Sequence, residues 1–361
     1  MSGPNTTKPG ALVSIAVAVG AVAVAVLGIL TFGVQTTAAP DGVPLAVAVP
    51  EQGPAATALR PVAQRVAGQG GEEISWTATT PERARAMLTD KDVYGVLELA
   101  PSTDAAPGLA PTVLTSGAIN PSGTQLAQQV LTSAAQGVSQ AASAQGLAVQ
   151  PVQAEQLHEA SSAARSAPLA VTALSWIGCL AAGAVCTMLF TRGGRVAGLG
   201  SRLSLLLGSA VLVTGASAGL LAWWDGSLPL DTDVLGFMLL IAGAFAAVQG
   251  ALLRLLKLRA MAVLAPLYLM APSVAGQVPE LLNPAYRAAL WSWTPFRFST
   301  EGLRSVLQGT PGAPDVRQAV WVLGGMLLAG LIVLLWPGRR GSAAQQAQPD
   351  AAERVVPVGV H

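Results

Sequence analysis

The sequence carries little charge and few residues that perform chemistry. Of its 361 residues only 11% are charged and 5% are aromatic, and it has two cysteines and two histidines. Soluble domains contain about 25% charged residues, so these values argue against a water-soluble enzyme. Both cysteines, Cys179 and Cys186, lie in an apolar run, which excludes a disulfide framework or a cysteine-rich metal site within one chain.

Motifs for catalysis and nucleotide use are also missing. No Gly-Lys-Ser/Thr phosphate loop occurs, so the chain does not itself use ATP in the Walker manner. No paired carboxylates or nucleophile and base set emerges, and His158, on a predicted polar helix beside Glu155 and Glu159, fits a solvated face better than a metal site. We therefore expect no enzymatic activity of its own, no cofactor and no metal.

What the sequence does contain is long uncharged runs, within a composition that is 52% hydrophobic with a mean hydropathy of +0.53. A membrane-crossing helix needs about 20 apolar residues, and charges within it are costly. Six windows without Asp, Glu, Lys or Arg meet this requirement: 11–33, 169–190, 203–222, 234–253, 260–277 and 319–337. The predicted fold class is a polytopic α-helical membrane protein with six transmembrane helices.

The distribution of charge predicts the orientation. The segments 1–10, 191–202, 254–259 and 338–361 hold ten of the 20 basic residues but only two of the 19 acidic ones. Cytoplasmic loops are enriched in Lys and Arg, so we expect both termini in the cytoplasm and residues 34–168 outside. The first window could instead be a signal peptide cleaved after Thr37-Ala38-Ala39, but its length and the following Pro40 favour an uncleaved anchor.

These observations predict five regions. They are a cytoplasmic N-terminus at 1–10, a first transmembrane helix at 11–33, an extracytoplasmic α/β domain at 34–168, a five-helix membrane domain at 169–337 with a re-entrant outer segment at 278–310, and a disordered cytoplasmic tail at 338–361. Within 34–168, strands are expected at 44–50, 73–79, 93–99 and 111–117, and helices at 54–68, 81–90 and 120–147.

Small and polar residues within the spans predict how the helices pack. Gly236, Gly243 and Gly250 recur every seven residues, which puts them on one helix face where a neighbouring backbone could approach, unless they only reflect the high glycine content of the chain. Gln249 is the most polar side chain inside a span. We expect it to form a hydrogen bond between helices rather than to mark a proton pathway.

The stretch 277–309 is broken by prolines and rich in aromatic residues, which favour the membrane interface. We interpret it as short helices in the outer leaflet, with Arg287, Arg297 and Arg304 reaching lipid headgroups, serving as an anchor or contacting a substrate. Its candidate functional residues are Pro279, Trp291, Trp293, Pro295, Glu301 and Arg304.

The same stretch carries a resemblance. A proline-bounded short helix, an aromatic-Thr-Pro step, Thr300-Glu301-Gly302-Leu303-Arg304 and Gly309 before a last span resemble the membrane subunit of type-2 ABC exporters. PLAVAVPEQG, ISWTATTPERARAML and DVYGVLEL, followed by a Thr-rich strand and Asn120, look like the YhgE/Pip (phage infection protein)-like branch, which has a large outer domain. The resemblance covers residues 11 to 337.

The resemblance implies a permease subunit that exports amphipathic or lipid-like cargo as a homodimer or paralogous heterodimer, driven by a separate ATPase. The expected location is a bacterial cell membrane, with membrane lipids and no nucleic acid as partners. Such permeases present a coupling helix after their second span, which corresponds here to a loop with Arg192, Arg195 and Arg202, although these arginines could also be topology signals alone. Only ten residues precede the first span, too few for the amphipathic connecting helix of many exporters.

A non-transporting envelope protein is the alternative. In that interpretation the domain at 34–168 is a receptor or an assembly surface, as the phage-infection resemblance suggests.

Overall fold

The computed structural model describes residues 9–102, 108–195 and 197–337, so the predicted tail at 338–361 and most of the predicted N-terminus lie outside the described residues. In chain order the elements are α1 Pro9–Thr36, β1 Val43–Ala48, α2 Pro54–Ala67, β2 Ile74–Thr79, α3 Pro81–Thr89, β3 Val96–Pro101, β4 Gly108–Ser116, α4 Pro121–Ala144, β5 Ala148–Val149, β6 Gln153–Leu157, α5 Ser162–Arg192, α6 Leu199–Trp224, α7 Thr232–Leu256, α8 Met261–Ala275, α9 Pro284–Tyr286, α10 Pro295–Leu307 and α11 Pro314–Leu335.

Four helical stretches of the described chain are long and apolar enough to cross a membrane. They are Ser162–Arg192, Leu199–Trp224, Thr232–Ala275 and Pro314–Leu335, and a shorter apolar helix covers Gly20–Thr36. Large apolar side chains on them point away from the protein: Leu212 is 73% and Trp321 78% exposed. Exposed apolar surface of this extent is rare on soluble monomers, and the chain is a helical membrane protein.

The third stretch, Thr232–Ala275, covers two of the predicted spans. Its 44 residues would extend about 66 Å as one straight helix, more than twice the ~30 Å hydrocarbon core. The chain turns instead: Lys257 adopts a φ of +54°, and a 3₁₀ turn at Lys257–Ala260 separates α7 from α8. The stretch is therefore two helices joined by a sharp turn.

Trp176 of α5 holds these two helices together. Its indole Nε1 donates to Leu264 O of α8 (3.3 Å), and its backbone carbonyl accepts from Gln249 Nε2 of α7 (3.0 Å). The hydrogen bond of Gln249 confirms its predicted role between helices. The indole ring also packs against Phe245 and Phe296, with ring centroids 5.0 and 4.8 Å away. This aromatic cluster joins α5, α7 and α10, and the indole hydrogen bond adds α8.

Helices α5 and α6 are antiparallel neighbours. Ser161, the N-cap of α5, donates a hydrogen bond to Asp225 at the end of α6 (Oγ to Oδ2, 2.6 Å). The described residues of the loop that joins the two helices, 193–195 and 197–198, therefore lie at the other end of the bundle. Because α5 begins directly after β6, that loop is at the end farthest from the sheet.

Between α1 and α5 the chain forms a six-stranded mixed sheet in the order β2-β1-β3-β4-β5, with β6 also paired to β4. Strand β1 is parallel to β2 and β3, β3 is antiparallel to β4, and β5 and β6 run parallel to β4. The alternation of side chains along β1 explains why helices cover both faces of the sheet. Leu45 and Val47 face a core shared with α2 and α4, whereas Ala46 and Ala48 face a second core shared with α3.

Most of these elements lie where the sequence predicts them, with some differences after α4. Strands β5 and β6 have no counterpart among the predicted elements, and they are short. His158 is not on a helix: it follows β6 with a φ of +53°, and its Nδ1 lies 3.2 Å from Ser116 Oγ. Helix α5 also begins at Ser162, before the predicted span.

The glycines of α7 face α11 only in part. A Cβ on Gly250 would lie 3.4 Å from Leu334 and one on Gly243 3.9 Å from Leu327, while one on Gly236 would meet nothing within 4 Å. The close backbone approach between these helices is at Gly330 of α11, where a Cβ would lie 2.5 Å from the carbonyl carbon of Ala247.

Candidate functional site

Helix α10 is the most enclosed part of the predicted re-entrant segment. Pro295 occupies its first turn, where a missing N–H costs nothing, and the helix continues for 13 residues. Most of its side chains are buried, and it packs against α5, α7, α8 and α11. This helix therefore contacts most of the bundle. It lies directly beneath the part of the chain between α1 and α5 that contains the sheet, which we call the sheet domain.

Polar side chains join the sheet domain to the membrane half at this place. We call them the junction cluster; its members from the domain are Lys91, Tyr94 and Asn120, and those from the membrane half are Glu280, Glu301, Arg304, Ser305 and Asp315. Each domain residue contacts a partner in the membrane half. The two halves are thus connected by charge-assisted hydrogen bonds, which are about twice as strong as neutral ones.

The first link is formed by Lys91, Ser305 and Asp315. Lys91 Nζ donates to Asp315 Oδ2 (2.7 Å) and to Ser305 Oγ, and Ser305 Oγ donates to Asp315 Oδ2 (2.6 Å). Lys91 has a left-handed backbone (φ +64°), which turns the chain at the end of α3. This turn carries its side chain to the first residues of α11.

The second link joins Tyr94 to Glu280. The phenol donates to Glu280 Oε2 at 2.6 Å. Burial, and then the negative charge of Glu280, raise the pKa of Tyr94 above its usual value of 10.0. The phenol therefore stays protonated and remains a donor throughout the neutral range.

The third link passes from Asn120 through Glu301 to Arg304. Asn120 caps α4 with its side-chain oxygen and donates through Nδ2 to Glu301 Oε1 (2.8 Å). Arg304 Nη1 lies 2.7 Å from the same oxygen, an ion pair without hydrogen-bond alignment. Arg304 is only 2% exposed, and its Nε and Nη1 have no hydrogen-bond acceptor among the described residues. Glu301 Oε1 thus accepts a hydrogen bond from the sheet domain and forms an ion pair with Arg304 in the membrane half.

The junction cluster borders a cavity of about 240 Å³ beneath the sheet domain. Acidic and basic groups both line it, including Lys91, Arg297, Glu301 and Asp315. Arg297 stacks on the rings of Trp291 and Phe298, with 3.6 and 4.2 Å to the ring centroids. Within the described ranges, no group of three or more His, Cys, Asp or Glu is arranged to hold a metal ion.

The structure corrects the predicted arginine contacts of this segment. Arg304 is enclosed beside Glu301, and Arg297 lies on aromatic rings. The prediction that these two side chains reach lipid headgroups is therefore wrong. Both arginines lie on α10, most of which is buried against α5, α7, α8 and α11. Of the other candidates, Trp293 is 52% exposed, Trp291 stacks under Arg297, Pro295 begins α10, and Pro279 begins a 3₁₀ turn.

The three arginines of the predicted coupling loop do not form one cluster. Arg192 ends α5 and Arg195 lies in the following loop, both exposed. Arg202 is on α6, and its Nη1 donates to Leu334 O at the end of α11 (3.2 Å). Arg202 therefore supports a helix end, which leaves Arg192 and Arg195 as the exposed cations of the loop.

Sequence reasoning missed Lys91, Tyr94, Asp315 and Glu280 as site residues. Each pairs with a residue 186 to 224 positions away, and no local pattern records such a pairing. Asn120 is the first residue of the predicted helix at 120–147, but no pattern in the sequence indicates its contact with Glu301.

The link through Tyr94 predicts a loss of stability in alkali. Above about pH 10 the unfolded chain loses the phenol proton while the folded protein keeps it, so the folded state is disfavoured as pH rises. We expect the midpoint of thermal unfolding to fall between about pH 9 and pH 11 for the natural protein, and to fall less for Tyr94→Phe. Tyr286→Phe, which removes a phenol outside the cluster, should show the same fall in midpoint over this pH range as the natural protein. A fall of the same size in Tyr94→Phe would contradict the prediction.

No protein-family model, curated protein or solved structure matches the chain.

Proposed function

We propose that the chain is the membrane-spanning permease subunit of an ABC-type exporter, which works as a dimer and moves amphipathic or lipid-like cargo with a separate ATPase. In this proposal α1, α5, α6, α7, α8 and α11 are the six crossings. The sheet domain lies outside, both termini are cytoplasmic, and the location is a bacterial cell membrane.

The observation that carries the proposal is the position of α10. One helix packs against α5, α7, α8 and α11 and is tied by Glu301 and Ser305 to the sheet domain. A rearrangement of the bundle would therefore move α10, and with it the domain. A permease that alternates between two membrane conformations needs such a connection if its outer domain is to follow the cycle.

The ends of the bundle support the position of the ATPase. The loop between α5 and α6 lies at the end away from the sheet domain and presents Arg192 and Arg195 to solvent. A separate ATPase would bind there through acidic side chains, because exposed arginines favour a partner of opposite charge.

The test is purification of the tagged full chain from its native membrane, followed by identification of any ATPase that copurifies. We expect an ATPase to copurify, and we expect Arg192→Glu/Arg195→Glu to lose it. The matched control, Arg65→Glu/Arg83→Glu, makes the same charge change on the exposed surface of the sheet domain. Retention of the ATPase by the loop variant would reject this docking site, and absence of any ATPase from the natural protein would reject the function.

A second candidate function is favoured by a groove on the sheet domain. A cavity of about 700 Å³ lies between α2 and α4, lined mainly by Ala, Val and Leu side chains such as Leu59, Val62 and Val138. A non-transporting envelope protein could use it as a receptor or assembly surface. In that case Leu59→Glu/Val138→Glu would abolish binding of a partner to the groove. Arg192→Glu/Arg195→Glu would have no effect on that binding.

A further inference from the structure

A separate cavity lies at the end of the bundle away from the sheet domain, between α5, α6, α7 and α11. Its volume is about 360 Å³, within the ~300–1,000 Å³ typical of small-molecule sites. Buried apolar residues form one part of its lining, among them Gly183, Leu206, Ala246 and Leu253. The other part is basic, and its members are Arg195, Arg202, Arg254 and Lys257.

The basic part of this lining has no acidic partner. None of the lining residues is Asp or Glu, and within the described ranges none of the four basic side chains is in an ion pair. The carbonyls at the end of α11 offset a little of this charge, since a helix C-terminus is equivalent to roughly −0.5 of an elementary charge. Most of the positive charge therefore remains uncompensated.

Two of the cations are held close together. Arg202 Nη1 and Arg254 Nη1 donate to the same oxygen, Leu334 O, at 3.2 and 2.9 Å. Arg254 also donates to Val333 O and, through Nη2, to Trp336 O (2.6 Å). Like charges beside an apolar wall repel strongly. A guanidinium has five N–H donors, so donors of Arg202 remain for an anion.

We propose that this cavity binds an anionic amphiphile, with its phosphate or carboxylate head at Arg195, Arg202, Arg254 and Lys257 and its acyl chain along the apolar wall. The combination of a basic mouth and a buried apolar lining matches a molecule with one charged end. The site lies within one chain and its occupancy needs no ATPase, so this inference goes beyond the proposed function and is tested independently of it.

Occupancy of this cavity can be measured through cysteines that the protein already has. Its two cysteines, Cys179 and Cys186, both line the cavity; Cys179 is buried and Cys186 is half-buried. The experiment reconstitutes the full chain in phosphatidylcholine nanodiscs with a rising fraction of phosphatidylglycerol and measures the rate at which N-ethylmaleimide alkylates Cys186, by mass spectrometry. Parallel samples replace phosphatidylglycerol with added inorganic phosphate.

We expect phosphatidylglycerol to slow the alkylation of Cys186 and inorganic phosphate to leave it unchanged. Each basic residue near an anionic lipid strengthens binding about fivefold, so Arg195→Gln/Lys257→Gln should need about 25-fold more phosphatidylglycerol for equal protection. Arg192→Gln/Arg259→Gln removes the same charge at the same end but outside the cavity lining, and it should keep the protection. Equal alkylation rates of all three proteins in pure phosphatidylcholine would show that the cavity is intact.

Three outcomes would overturn the proposal. Protection by inorganic phosphate alone would exclude a role for the acyl chain. Alkylation that no additive slows, or a control variant that loses protection as fully as Arg195→Gln/Lys257→Gln, would exclude the assigned site.

Discussion

Trp176→Ala is expected to lower the free energy of unfolding by about 3–5 kcal/mol, the cost of truncating a fully buried aromatic side chain. The indole is 1% exposed and fills the space between α5, α7, α8 and α10. The substitution leaves a cavity beside Phe245 and Phe296 and removes the hydrogen bond to Leu264 O. The measurement is the midpoint of unfolding in one detergent, by heat or by denaturant.

Trp321→Ala is the matched control for this prediction. Trp321 lies on α11 and is 78% exposed, so its truncation removes the same atoms without opening an internal cavity. Trp176→Phe adds a graded test, because it keeps a ring against Phe245 but loses the indole donor. If Trp176→Ala and Trp321→Ala shift the midpoint equally, Trp176 is not central to the bundle.

Gly330→Leu is expected to separate α7 from α11 and to cost about 3 kcal/mol or more, the upper range for overpacking. A Cβ at this position would lie 2.5 Å from the carbonyl carbon and 2.7 Å from the oxygen of Ala247. These are backbone atoms, which cannot rotate away as a side chain does. The helices themselves must move apart, and α7 and α11 form the most extensive helix contact of the bundle.

Gly325→Leu tests the same change elsewhere on α11. Gly325 is exposed, and a Cβ there would meet nothing within 4 Å. Replacing a helical glycine gains up to about 1 kcal/mol in helix propensity, so we expect Gly325→Leu to be neutral or slightly stabilising. A Gly330→Leu protein as stable as Gly325→Leu would show that the two helices do not meet at Ala247.

The fold could be predicted from the sequence where its signals are local. Uncharged runs mark the apolar helices because charge is excluded from them over many consecutive residues. Strands β1 and β3 are apolar runs bounded by turn residues, and Thr80, directly before Pro81, caps α3 by accepting from Arg83 N (3.4 Å). The short β5 and β6 could not be predicted in this way. Strand β5 has two residues and β6 has five, most of them polar, and such short segments carry too little periodicity.

The candidate site could be predicted only in part, for a different physical reason. Prolines and aromatic residues indicate a distinct segment at residues 278–310. Glu301 and Arg304 within this segment belong to the junction cluster. Their orientation could not be predicted, because it depends on the sheet domain that covers α10. The glycine pattern of α7 had a similar limit: spacing identifies a face, but the closest contact is decided by the partner residue, here Gly330.

The links of the junction cluster also impose an order on biosynthesis. Lys91 is translated 224 residues before Asp315, and Asn120 is translated 181 residues before Glu301. Domains generally fold as units, starting from the N-terminus, during synthesis. The sheet can therefore be complete while the ribosome is still producing the helices that follow it. The domain gains its attachment to the bundle only when α10 and the start of α11 emerge, so the attachment records that helices α5 to α10 have already been made.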